Sequence, residues 1–181
     1  MIDQHTGIWL TNDHKHWFDE SLANALCKFF KKKNGTVADF GCGDGRYLKK
    51  FKQEEIECTG FDGNPDTESL TGGVASVLDL SVPVNLPCFD WVLSLEVGEH
   101  IPANRENVFI RNLCKHCRKG IIISWAVPGQ GGEGHFNEKS NAYVKTLFSS
   151  LNFENDLRTE NAFRKISTLK WFRDTLMVFV R

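Results

Sequence analysis

Val37-Ala38-Asp39-Phe40-Gly41-Cys42-Gly43-Asp44-Gly45-Arg46 decides the fold: a short apolar run feeds directly into glycines at alternate positions. Glycine tolerates the backbone angles of a tight turn and lets a ligand approach the main chain without a Cβ in the way. Residues 46–53 then read as a helix, so the stretch is strand, turn, helix, the first half of a βαβ unit. Upstream, across residues 17–33, Phe18, Leu22, Ala25, Leu26, Phe29 and Phe30 recur at helical spacing. Asp19 and Glu20 stand early and Lys31 to Lys33 late, which suits the helix dipole, and Asn34-Gly35 closes the turn.

Downstream, apolar runs predict strands near residues 57–61, 74–78, 89–95 and 120–126, separated by helical or loop segments. Pro102 introduces a helix over residues 103–119, and Val144, Leu147, Phe148 and Leu151 give residues 138–151 a helical face. The tail adds a short strand at 152–154, a helix within 156–167 and an apolar strand at 176–180. Parallel strands need such crossovers, so the expected fold is α/β: a doubly wound, mostly parallel, seven-stranded Rossmann-like sheet with helices on both faces. Ligands bind such sheets at the carboxyl ends of the strands.

The 181 residues suit one domain with one core, divided as an N-terminal lid segment and helix over 1–35 and a ligand-binding core over 36–181. Hydrophobic residues at 41% and charged residues at 25% are ordinary globular usage and exclude disordered or fibrous classes. With 22 Lys and Arg against 23 Asp and Glu, the net charge of −1 gives no drive toward nucleic acid. No apolar run reaches the roughly 20 residues that span a bilayer. Six scattered cysteines read as reduced thiols, which places the chain in the cytoplasm. Nothing in the sequence speaks to oligomeric state.

Two carboxylates stand at strand ends in register with the glycine turn. Asp62, about 20 residues on, can accept hydrogen bonds from both hydroxyls of a ribose. Asp79 follows the third strand, where an exocyclic amine could be read. A dinucleotide site would want glycine where Arg46 stands, and neither Tyr47 nor Tyr143 has lysine four residues later for hydride chemistry.

These stretches, with Phe61-Asp62-Gly63-Asn64-Pro65, Leu78-Asp79-Leu80 and Phe89 to Pro102, resemble in order and spacing the class I S-adenosylmethionine-dependent methyltransferases. The resemblance implies S-adenosylmethionine as cofactor, with Asp39, Gly41 and Gly43 around its methionyl part and Cys42 beside them. It implies Asp62 with neighbouring Gly63 at the ribose, Asp79 and Leu80 at the adenine, and Glu96 completing the pocket. The Asn/Asp-Pro-Pro-aromatic turn of amino-group methyltransferases is missing at 94–100. Glu96-Val97-Gly98-Glu99-His100-Ile101-Pro102 looks more like the small-molecule, ubiquinone-pathway O-methyltransferase branch, where acidic and histidine residues serve the acceptor or a metal. The function implied is methyl transfer to a small-molecule acceptor, with a hydroxyl as one acceptor type. Protein or RNA methylation, or binding of the cofactor without turnover, are the alternatives.

A hydroxyl acceptor must lose a proton, so His100 and His135, with Glu99, are the candidate catalytic residues. His135 lies in the glycine-rich loop 124–137, which reads equally as a flexible connection or a substrate loop. Trp9, His14 and Trp17 could belong to a lid, although both tryptophans read better as staples of the first helix. Glu99, His100 and His135 could ligate an ion, but their spacing requires none and no metal is expected. Cys114-Lys115-His116-Cys117 lacks a second cysteine pair and is read as a half-buried helix face rather than a zinc site.

Overall fold

The computed structural model describes residues 1–12 and 16–181. Helix α1 (Glu20–Lys33) starts behind Asp19, whose carboxylate accepts the Leu22 amide, and ends at Asn34 in the left-handed conformation at φ 45°. Strand β1 (Val37–Phe40) runs through the glycine turn into α2 (Arg46–Gln53). There follow β2 (Cys58–Asp62), the short α3 (Thr67–Thr71), β3 (Ala75–Val77) and β4 (Phe89–Leu95). A 3-10 turn (Ala103–Arg105) leads into α4 (Glu106–Lys115), β5 (Cys117–Ser124) and α5 (Asn141–Ser150). Strand β6 (Glu154–Asn155), α6 (Leu157–Ile166), α7 (Lys170–Thr175) and β7 (Met177–Val180) complete the chain.

The strands form one seven-stranded sheet in the order β3-β2-β1-β4-β5-β7-β6. Strands β1 to β5 pair in parallel, while β7 is antiparallel to both β5 and β6. The expected mostly parallel sheet is observed, with the antiparallel pair at one edge.

Because successive side chains point to opposite faces, each central strand feeds two cores. Ala38, Val92, Ile121 and Ile123 join Phe109, Leu113 and Phe148 on one face. Val37, Trp91, Leu93 and Ile122 join Leu22, Leu26, Phe30 and Phe51 on the other. Each fully buried Leu or Ile contributes about 1.5 to 3 kcal/mol by leaving water.

The helix expected over 103–119 stops at Lys115. His116 is fully buried, its Nδ1 bonded to the Asn112 carbonyl at 2.7 Å and its Nε2 accepting the Leu86 amide at 3.1 Å. That anchorage ends the helix and lets Cys117 enter β5 opposite Phe89. Cys114 and Cys117 therefore lie on different elements, both buried, rather than on one half-buried helix face. Packing accounts for the two thiols, and backbone bonds account for the imidazole between them. The short helices α3 and α7 had no sequence signal of their own. No helix among the described residues is long and apolar enough to cross a membrane.

Candidate active site

The carboxyl ends of β1, β2 and β4 open into a cavity of about 590 Å³. Gly41, Gly43 and Gly45 have φ of 86°, 55° and 73°, so the turn after β1 needs glycine at each alternate position. Its floor is acidic. Asp39, the third residue of β1, is 3% exposed, and burial together with the Asp62 charge pushes its carboxyl up to about 8. Asp62, at the end of β2, accepts the Gly43 amide on Oδ2 at 2.8 Å and the Asn64 amide on Oδ1 at 2.9 Å. The carboxylate thus ties the glycine turn to the second strand, and lone pairs remain for a ligand.

Cys42, Gly63 and Leu80 line the same cavity with Asp39, Gly41, Gly43 and Asp62. Asp79 does not reach its wall: its Oδ1 accepts the Ser81 amide at 2.7 Å, the ordinary use of aspartate in a turn. Sequence reasoning thus placed one adenine-side residue, Leu80, on the cavity and one off it.

The other end is formed by the turn after β4. The Ser94 hydroxyl donates to the Phe40 carbonyl at 2.7 Å, locking β4 to β1 just below the site. Glu96 takes a left-handed φ of 55°, rare for a residue with a side chain, and its amide donates to Ser124 Oγ at 2.8 Å. Glu96 Oε2 accepts from Gln130 Nε2 at 3.0 Å, while its Oε1 is buried without a partner. Glu99 is fully buried and neither of its carboxylate oxygens has a hydrogen-bond partner. Burial raises both carboxyls, Glu99 well above the usual range because the Glu96 charge lies beside it.

His100 and His135 meet edge to face, with ring centroids 5.1 Å apart. His100 Nδ1 lies 3.0 Å from the Gly134 carbonyl, and His135 Nδ1 lies 3.1 Å from Glu138 Oε1. The same Glu138 carboxylate accepts the amides of Gly129 and Gly131 at 2.7 and 3.0 Å. The three predicted catalytic residues are therefore brought together: His135 belongs to the glycine-rich loop, which bonds to His100 through the Gly134 carbonyl and to the Glu99 carbonyl through the Phe136 and Asn137 amides.

Gln130 and Glu138 were invisible as site residues in the sequence, since no spacing links them to the β4 turn. The N-terminal segment was anticipated only in part. Thr6, Gly7, Ile8 and His16 line the cavity, and Trp9 meets the His100 ring edge to face at 5.8 Å. Trp9 is thus no staple of α1. Trp17 is 54% exposed and meets edge to face Trp171 of α7, a ring that packs against the α1 core. His14 falls outside the described residues.

A model of the family described as "Methyltransferase domain" matches residues 14–131. No curated protein matches the chain. Among solved structures, the magnesium protoporphyrin IX methyltransferase ChlM from Synechocystis PCC 6803, crystallised with bound SAH, superposes with a TM-score of 0.67 at 15% identity over 88% of this chain and 81% of that one. The sugar N-methyltransferase KedS8 from Streptoalloteichus sp ATCC 53650 gives 0.68 at 12% identity over 96% and 98%. The 1,6-didemethyltoxoflavin-N1-methyltransferase from Burkholderia thailandensis gives 0.58 at 14% identity over 90% and 78%. At such identities these likenesses establish a shared fold, while the family match spans the glycine turn, both strand-end aspartates and the β4 turn. The chain belongs to the methyltransferase-domain family, among the class I S-adenosylmethionine-dependent enzymes.

Proposed function

We propose that this methyltransferase binds S-adenosylmethionine against the glycine turn and transfers its methyl group to a small-molecule acceptor held by the β4 turn and the glycine-rich loop. The observation that carries the reading is the acidic floor: Asp39 is buried beside Asp62 at a turn whose backbone lies open to the cavity. A buried carboxyl beside a second, partly exposed one favours a cationic ligand over a neutral or anionic one. When bound, S-adenosylmethionine supplies an electrophilic methyl on a sulfonium.

In this reading Asp39 meets the ligand's ammonium group, and Asp62, already fixed by two backbone amides, accepts from the ribose hydroxyls. Leu80 covers the adenine. The residues of the β4 turn then hold the acceptor in line with the methyl, and alignment itself supplies much of the acceleration. Where the acceptor is a hydroxyl, His100 or His135 takes its proton. The small-molecule branch is supported by the cavity, which Thr6 to Trp9 border, and by structural neighbours named for porphyrin, toxoflavin and sugar substrates.

The whole chain acts as one methyltransferase domain in this proposal, with residues 1–35 supplying the cavity's outer wall and α1. A cytoplasmic site of action is supported by its six free thiols. The test is twofold. Calorimetry with S-adenosylhomocysteine should show binding that Asp62→Ala weakens. Incubation with methyl-labelled cofactor and fractionated cell extract should carry label into small molecules. Label in protein or RNA alone would refute the acceptor class, and absence of binding would refute the cofactor site.

A further inference from the structure

We propose that the hairpin of residues 1–12 gates the exchange of the cofactor, a reading that rests on the function proposed above, and that Asn12 is the positioning residue that latches it. The hairpin is built as a unit. The Asp3 amide donates to the Ile8 carbonyl, Gly7 to Asp3 and Leu10 to Met1, at 2.8 to 2.9 Å. Inside its turn the Asp3 carboxylate accepts the His5 amide and the Thr6 hydroxyl.

Its middle touches the cavity on two sides. On the β4 side Gly7 packs so closely on the His100 carbonyl that a Cβ there would stand 2.1 Å from the oxygen, and Trp9 meets the His100 ring edge to face. On the β2 side the Ile8 side chain rests on Gly63, where a Cβ would lie 2.5 Å from Ile8 Cγ1. The hairpin thus roofs the cavity from the turn after β2 to the turn after β4. Packing this tight admits no ligand atoms between the hairpin and either wall, so a ligand that runs from Asp62 to the β4 turn enters and leaves as the hairpin lifts.

The latch is an interlocked set of side-chain amides. Asn64, 4% exposed, accepts the Asp66 amide on Oδ1 at 2.8 Å, which turns its Nδ2 to donate to Asn12 Oδ1 at 2.8 Å. Asn12 in turn donates from Nδ2 to Asp66 Oδ2 at 2.8 Å. The Asn64 main-chain amide donates to Asp62 Oδ1 at 2.9 Å, so the latch and the carboxylate assigned to the ribose share one turn. Asn12 itself stands off the cavity wall and is exposed. It holds the hairpin without holding the ligand. Loosening such a latch speeds entry and exit alike and leaves their ratio, the equilibrium affinity, nearly unchanged.

The test is stopped-flow exchange of S-adenosylhomocysteine on the full chain, read by the fluorescence of Trp9 and its neighbours, with affinity from calorimetry. Asn12→Ala removes the bonds to Asn64 and Asp66 and should raise the association and dissociation rates together by about 5- to 30-fold, with Kd held within about twofold. Asn12→Asp sets a second carboxylate against Asp66, so its exchange should be faster still at low salt and slow again as salt screens the repulsion. An unchanged melting temperature reports that both variants fold. Exchange rates equal to wild type in both variants overturn the gate. A weaker Kd carried by dissociation alone overturns it too, because Asn12 would then be an ordinary support of the bound ligand. Wild type that binds no S-adenosylhomocysteine refutes the cofactor reading and the gate with it, whereas binding with exchange indifferent to Asn12 refutes the gate alone.

Discussion

Replacing Asp39 with asparagine tests how the acidic floor works. The Asp39 carboxyl is pushed from 3.8 to about 8 by burial and by Asp62, so at pH 6 the ligand-free protein holds a proton there. A cationic ligand wants the carboxylate. Binding must therefore release that proton, and affinity should rise about tenfold from pH 6 to pH 7 and about 50-fold in all by pH 8, where it begins to level. The Asp39→Asn variant has no proton to release, so its affinity should be flat over the same range. Above the carboxyl's pKa the variant should also lack one charge-assisted hydrogen bond of about 1.5 to 3 kcal/mol, roughly 10- to 150-fold in affinity.

The stability of the empty protein should move the other way. Between the unfolded and folded pKa the native state binds more protons than the unfolded chain, so stability falls as pH rises from about 4 toward 8. The Asp39→Asn variant should lose that contribution to the slope and be the more stable protein at alkaline pH. Calorimetry of S-adenosylhomocysteine in two buffers of different ionisation enthalpy reads the released proton directly, and thermal melts read the slope. Wild-type affinity independent of pH, or an identical slope in the variant, would refute the argument.

Gly43→Val should weaken cofactor binding severely, because φ is 55° and the new Cβ would lie 2.5 Å from His16 Nδ1; S-adenosylhomocysteine titration checks it. His100→Ala and His135→Ala should leave S-adenosylhomocysteine affinity nearly unchanged. Once an acceptor is known, a general-base role predicts turnover slower by roughly 10²- to 10⁴-fold for one of them. Glu106→Ala should lower the melting temperature by removing the buried acceptor of Asn137, Tyr143 and Lys139, with a cost of about 1.5 to 3 kcal/mol in denaturant unfolding. Cys114→Ser with Cys117→Ser should leave no change in bound zinc by metal analysis, since His116 uses both ring nitrogens for backbone bonds.

The parallel core was legible because its strands are nearly continuous apolar runs and its turn needs glycine, both of which are local properties. The end of α4 was not, because Cys114 to Lys119 keeps a helix-compatible pattern and only the burial of His116, through Asn112 and Leu86, breaks it. The same division holds at the site. Asp39 and Asp62 stand at strand ends in register with the glycine turn, and the family resemblance added Leu80, three residues beyond β3, whereas Asp79 just before it turns its carboxylate to Ser81. Glu138 and Gln130 act across about 30 residues or through a loop, and contacts of that kind leave no periodicity behind. Trp9 was misjudged for a related reason: a lone aromatic reveals burial, not which surface it covers.

The antiparallel sense of β7 decides by which rim the backbone leaves the sheet. The five parallel strands all end on the rim that carries the cavity, but β7 runs against β5, so Arg181 emerges at the opposite rim, its amide on the Lys119 carbonyl and its guanidinium on the carbonyls of Cys114 and Cys117. Met1 is at the other extreme: the Ile2–Trp9 bridge holds the first residues beside His100. A tether, dye or affinity handle attached beyond Arg181 would thus hang clear of the ligand entrance, whereas the same handle ahead of Met1 would crowd it. Surface-immobilised binding measurements should be anchored through residue 181.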